Sequence, residues 1–352
     1  MDGMQIDSVV TRAGWRGSEI QNGDEWLYRL SSSEIDEIDA ALAHLKSTGR
    51  QIPDIGKEHF PLNRFARTLR LLQTEIESGL GIMLLRGLPR ERYTLEEMGL
   101  IYWGIGAHFG RAVAQNAQGD VLGHVRDMGR DQYKDMHARG YQTANRLPFH
   151  NDSCDIVGLC CLETAKQGGL SAVASSVAVH NELAATRPDL VKVLSEPFYA
   201  DRRGEESPGQ KPYYVTPTFI WHRGRMFNRY NRTFINSAQR FNEVPRLTPL
   251  QIEALDAVDR LCNDPAMRLD MNLERGDMQF VNNYVVLHSR TAYEDHEEEA
   301  RKRHLLRLWL RTSAFVDYPV ALRDRYEDMD KWRSNPRPPS YHFVGMSEVT
   351  TH

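Results

Sequence analysis

The chain has 352 residues, 41% hydrophobic and 26% charged, with a net charge of −4. This is a globular composition, able to bury a sizeable core and long enough for two domains or one large barrel with insertions. It lacks the basic excess of a nucleic-acid binder, any run near the ~18 apolar residues of a membrane span, and a charged leader followed by an apolar stretch. Four cysteines, Cys154, Cys160, Cys161 and Cys262, form no C-x-x-C pair. They read as free thiols in a reducing, cytoplasmic protein.

The first third predicts helices. Ser31 and Glu34 form a capping box ahead of Ile35, Ile38, Leu42 and Leu45 at helical spacing. Phe65, Leu69, Leu72 and Ile76 line a second helix, which stops at Gly79. "GIMLLRG" reads as a buried strand, and Thr94 with Glu97 caps a third helix toward Phe109. Strands follow at Ile156–Leu162 and in "GGLSAVASS", then a helix over Val177–Ala185. Residues 202–217 read as a surface loop or lid. Phe219–Tyr230 reads as a hairpin, and Thr248–Pro249 starts another helix. "GDMQFVNNYVVLHSR", with an apolar strand at Tyr284–Leu287, and "RHLLRLWLR" return to strand. The pattern predicts an α+β protein built on a β-barrel or sandwich.

Three His-x-Asp/Glu pairs occur, and their settings differ. His180/Glu182 falls in a predicted helix, where residues two apart do not face each other, so that pair reads as helix surface. His296/Glu298 lies in a charged run that reads as a solvated loop. His150/Asp152, in "LPFHNDSCD", stands at a strand entrance, where extended backbone turns both side chains to one side. A third metal ligand is available in His288, 136 positions after Asp152. Two imidazoles and one carboxylate make the facial triad of non-haem Fe(II) oxygenases. In "RHLLRLWLR", Arg303, Leu305, Arg307, Trp309 and Arg311 share one face of a strand whose other face is apolar. If the arginine face turns inward it needs anionic partners, and a guanidinium fork suits a carboxylate.

Together "FHND", "GDMQFVNNYVVLHSRTAYED" and "RHLLRLWLR" resemble the Fe(II)/2-oxoglutarate-dependent dioxygenases of the taurine dioxygenase and 2,4-dichlorophenoxyacetate dioxygenase family, over Gly79–Thr312. The resemblance implies a distorted double-stranded β-helix, a jelly-roll barrel flanked by helices. It implies His150, Asp152 and His288 as catalytic iron ligands, with Fe(II), 2-oxoglutarate and O2 as cofactor and co-substrates. Arg303 matches the family's 2-oxoglutarate arginine, and Ser171 in "GGLS" matches its hydroxyl. The inserted "DHEEEARK" lengthens the gap after His288, so Arg307 stays open as the alternative holder. The implied reaction is hydroxylation, or other C–H oxidation, of a small molecule with release of succinate and CO2.

The expected layout is an N-terminal helical region over residues 1–78, an oxygenase core over 79–315 and a C-terminal extension over 316–352, in one compact unit. A homo-oligomer is compatible with the sequence. Arg307 and Arg311 suit an anionic substrate such as a carboxylate, sulfonate or phenolate. Gln115, Asn116, Asn282, Asn283, Tyr230 and Arg232 can line its pocket, and each equally suits a structural hydrogen bond. Two other classes stay open: a metal-dependent barrel enzyme that does not use 2-oxoglutarate, and a non-catalytic ligand-binding barrel.

Overall fold

The computed structural model describes residues 7–130, 138–333 and 335–341; the last eleven residues of the expected C-terminal extension lie outside it. In chain order the framework is β1 (Leu27–Arg29), α1 (Ser32–Thr48), α2 (Phe65–Ser78), β2 (Ile82–Arg86), α3 (Leu95–Phe109), β3 (Arg111–Ala112) and β4 (Leu122–Val125). Then come β5 (Leu147–His150), β6 (Ile156–Glu163), β7 (Ser171–Ser175), α4 (Ser176–Thr186) and α5 (Pro249–Asn263). Strands β8 (Arg268–Met271), β9 (Met278–Asn282), β10 (Val286–Arg290) and β11 (His304–Arg311) complete it. Local chemistry sets the helix ends. The Ser31 hydroxyl accepts from the Glu34 backbone while the Glu34 carboxylate accepts from Ser31 N–H at 2.9 Å. Thr94 and Glu97 repeat the device on α3, and Gly49 at φ 66° closes α1.

Two sheets hold the site. A seven-stranded sheet runs β1-β2-β9-β6-β11-β3, with β4 also on β11; a four-stranded sheet runs β8-β7-β10-β5. Only β1–β2 is parallel among these pairs. Alternation along β11 divides its residues between two layers. Leu306, Leu308 and Leu310 pack outward with Phe65, Leu69, Tyr102 and Ile105 of α2 and α3. Arg303, just before the strand, and Leu305, Arg307 and Trp309 within it are buried on the opposite side, lining a pocket between the sheets. Val157, Val173, Val281 and Val286 form the core between the sheets. On the outer face of the four-stranded sheet, Val177, Leu183, Leu255 and Val258 of α4 and α5 form a further core. The order is helices, sheet, sheet, helices, and no helix among the described residues is long and apolar enough to cross a membrane.

Three local expectations are corrected. "NNYVVLHSR" is a turn and a strand: β9 ends at Asn282, β10 begins at Val286, and His288 sits mid-strand. Within 202–217, Tyr213–Thr216 pairs with Phe198–Asp201, and Arg202 and Arg203 are buried. His180 is fully buried, with its ring 5.1 Å from Phe219 and 5.7 Å from Trp221. The hairpin Phe219–Asn228 covers that face of α4, so helical spacing alone misplaced it on the surface.

Candidate metal centre

The register between β5 and β10 builds the site. His150 is the Cα partner of His288, so two imidazoles far apart in sequence become cross-strand neighbours with ring centroids 4.3 Å apart. Asp152 follows in the short loop before β6. Its Oδ1 lies 3.9 Å from His150 Nε2 and its Oδ2 3.8 Å from His288 Nε2. One ligand atom from each of the three lies within 4.8 Å of the others, the sole such group of three or more found among the described residues.

The loop is held by polar residues rather than by packing. Asn283 Oδ1 accepts from Asp152 N–H at 3.0 Å, and its amide donates to the Asp152 and Cys154 carbonyls. Asn151 faces away from the triad, donating to the Asn283 and Val286 carbonyls and accepting from Tyr230 N–H. Arg229 Nη1 donates to the Asn151 and Asp152 carbonyls at 2.8 and 2.7 Å. Asp152 Oδ2 accepts from Trp309 Nε1 at 2.9 Å and Arg307 Nη1 at 3.3 Å. Arg307 is steadied by Gln115 Oε1, which accepts from its Nε at 2.8 Å, and by the rings of Tyr141 and Trp309.

Electrostatics favour the ligand forms of all three groups. Burial, then neighbouring His150, holds His288 down to about 3, and burial also lowers His150. Burial opposes ionisation of Asp152, but Arg307 and then the two histidines override it and hold the carboxyl at about 2. The Pro148 carbonyl, 2.8 Å from His150 Nδ1, can only accept, so the proton sits on Nδ1 and the Nε2 lone pair faces the triad. Two neutral imidazoles and an ionised carboxylate are a donor set fitted to a divalent iron ion.

The same pocket continues to Ser171, Arg290 and Arg303. Gly168 and Gly169, at φ 76° and 69°, make the turn before Ser171. A Cβ on Gly169 would lie 2.9 Å from Arg303 Nε, so the glycine leaves room for that guanidinium. Arg303 is 4% exposed and stacks on Tyr293 at 5.1 Å, with its Nη1 buried and unpartnered.

The structure thus gathers His150, Asp152, His288, Ser171, Arg303, Arg307 and Gln115 around one pocket. It places the other candidates elsewhere or in structural work. Arg311 turns to Asp330 at 3.0 Å and to Tyr326, because the helix Arg323–Arg333 lies over that end of β11. Asn116 caps its own turn through Gln118 and Asp120. Tyr230 is fully buried, with its hydroxyl on Asp259 at 2.7 Å. Asn282 bonds the Tyr284 N–H and the Glu77 carbonyl, and Asn283 is the loop fastener. Arg232 reaches the wall but pairs with Asp256 and Asp259. Trp309, Arg290, Arg139 and Arg203 line the pocket without having been singled out. Trp309 shares the Arg307 face and Arg290 follows His288 by two, so strand alternation contained both signals.

A family model, "Taurine catabolism dioxygenase TauD, TfdA family", matches residues 46–309. FR-33289 synthase from Streptomyces rubellomurinus (strain ATCC 31215) is 35% identical over 319 residues, covering 89% of this chain and 93% of that protein. The taurine hydroxylase-like protein SAT17 from Stachybotrys chartarum (strain CBS 109288 / IBT 7711) is 32% identical, covering 84% and 77%. Among solved structures, asparagine oxygenase with Fe(II), hydroxyasparagine and succinate superposes with a TM-score of 0.64 at 17% identity, covering 81% of this chain and 93% of that one. The non-heme iron oxygenase OrfP with Fe and alpha-ketoglutaric acid gives 0.59 at 16%, covering 81% and 93%. At that identity the likeness is one of fold.

Proposed function

The chain belongs to the taurine catabolism dioxygenase TauD, TfdA family, and on that premise we propose a role for each pocket residue and a small anionic substrate. The protein is an Fe(II)- and 2-oxoglutarate-dependent oxygenase that hydroxylates a small organic molecule. We assign the iron to His150, Asp152 and His288. Arg303 and Ser171 hold the far carboxylate of 2-oxoglutarate, and Arg307 and Trp309 orient Asp152. The two sheets are read as the halves of a distorted double-stranded β-helix. Bound iron with 2-oxoglutarate supplies oxygen activation and C–H oxidation, with succinate and CO2 released. The chain's own part is to present neutral imidazoles and an ionised carboxylate, to orient the keto acid, and to hold the substrate against the iron-facing wall.

The observation that carries this reading is the meeting of the His150–Asp152–His288 cluster and the buried Arg303 in one pocket. The anionic substrate is supported by the arginines in the rest of the described lining, Arg139, Arg203, Arg229, Arg232 and Arg307, of which Arg232 also pairs with Asp256 and Asp259. Arg139 and Glu205, both in the lining, pair at 3.1 Å and tie the segment that carries Glu205 to the pocket wall. The OrfP and asparagine oxygenase structures contain L-Arg and hydroxyasparagine, which also carry a carboxylate. Anaerobic addition of Fe(II) and 2-oxoglutarate to the apoprotein is expected to give the visible charge-transfer colour of the chelate. Bound iron without that colour would refute the assignment.

A further inference from the structure

Arg290 is a buried pocket cation to which the reading above gives no task. It follows His288 by two on β10 and so shares its face, and it is the Cα partner of Ser171 on β7. Arg290 and Arg303 are each 4% exposed, and their guanidinium carbons lie 4.7 and 5.1 Å from the centre of one ring, Tyr293. Arg290 Nη2 donates to the Thr143 and Asn145 carbonyls, while its Nε and Nη1, like Arg303 Nη1, are buried without a partner. Among the described residues neither guanidinium has a carboxylate within ion-pair distance. Asp295, whose Oδ1 accepts from Arg303 backbone N–H, and Asp127 act on them from farther away.

Two guanidinium ions around one ring, buried and short of acceptors, are costly as they stand. An oxyanion entering between them would meet three unused donor nitrogens and relieve the repulsion. On the reading above, one such anion comes to this end of the pocket, the far carboxylate of 2-oxoglutarate. We propose that Arg290 is a second cation of the 2-oxoglutarate subsite, acting with Arg303 on the distal carboxylate and selecting keto acids that carry one. This rests on the reading that Arg303 faces that carboxylate.

The test is an anaerobic titration of Fe(II)-loaded enzyme, with the charge-transfer band as readout. The probes are 2-oxoglutarate and 2-oxobutanoate, which chelates through the same keto-acid end but lacks the far carboxylate. Arg290→Gln is expected to weaken 2-oxoglutarate roughly 10- to 100-fold, the loss of an ionic hydrogen bond, and to leave 2-oxobutanoate within about twofold. Arg290→Lys keeps the charge without the fork and is expected to fall between; it carries the test if the glutamine variant does not fold. Unchanged 2-oxoglutarate affinity in the Arg290 variants, with loss in Arg303→Gln, overturns the proposal and leaves the Arg303 reading standing. Equal weakening of both keto acids also overturns it, by making Arg290 a purely structural support. No change in any of the three variants overturns both.

Discussion

Trp309→Phe tests whether the carboxylate ligand is held from outside the metal. The indole N–H is one of two donors to Asp152 Oδ2, at 2.9 Å, the other being Arg307 at 3.3 Å. Removing an N–H bond to an ionised carboxylate costs roughly 1.5–3 kcal/mol. If that is lost from the ligand geometry it corresponds to about 10- to 100-fold in metal affinity, the range found for partners of metal ligands elsewhere. The lost ring volume should cost ~1–2 kcal/mol of stability. Trp15 supplies a matched control: it is also 4% exposed, and its Nε1 donates to the Leu80 carbonyl at 2.8 Å, outside the pocket. The assay is competition for Fe(II) or Co(II) against a chromophoric chelator, with circular dichroism to verify folding. Trp15→Phe should lose similar stability and keep the metal affinity. A folded Trp309→Phe protein that binds metal within twofold of wild type would refute the reasoning.

Three further outcomes are expected. His288→Ala should abolish stoichiometric metal binding, whereas His180→Ala, which removes a buried ring packed on Phe219, should lower thermal stability and leave metal affinity intact; metal-to-protein ratios decide between them. Asn283→Ala removes the fastener of the Asp152 loop and should cost roughly 1–3 kcal/mol of stability together with at least a tenfold loss of metal affinity, measured on the same samples. Asp155 is buried beneath the hydroxyls of Tyr284 and Tyr326 and the Thr312 N–H. Burial outweighs these donors and raises its carboxyl from 3.8 to about 6. Below pH ~4 folded and unfolded chains both hold that proton. Between ~4 and ~6 only the folded chain keeps it, so this contribution to stability declines as pH rises, by on the order of 3 kcal/mol. Asp155→Asn should flatten that slope in denaturant midpoints, and an unaltered slope would rule out Asp155 as its source.

What the sequence made legible was local or periodic. Ser31 with Glu34 and Thr94 with Glu97 announce helix starts because the bonds they make span three residues. The arginine face of β11 was readable because alternation is a property of one strand. The pairing of His150 with His288 was not, since register between distant strands is set by the whole sheet. Arg311 shows the limit of the face argument. It shares the alternation of Arg307, but it stands at the strand end, where the helix Arg323–Arg333 brings Asp330 and Tyr326 over it. Tyr230 and Asn283 were chosen as polar groups near motifs, and both serve architecture: one closes a core with Asp259, the other closes a loop. For Arg290 the local signal is its place two residues after His288 on one strand face, whereas its closeness to Arg303 depends on distant strands.

The cross-strand pairing of His150 with His288 also sets a timetable for biosynthesis. A chain emerging from the ribosome exposes the His-x-Asp pair long before its third ligand exists, and Trp309 arrives later still. Until β10 is made, β5 has no strand partner in its sheet, so the half-site sits on an open edge and cannot gather three ligands. On the proposed ligand assignment, iron loading follows assembly, and tight iron retention would report that the two distant stretches have joined. A fragment ending before β10 would carry the motif and lack the metal.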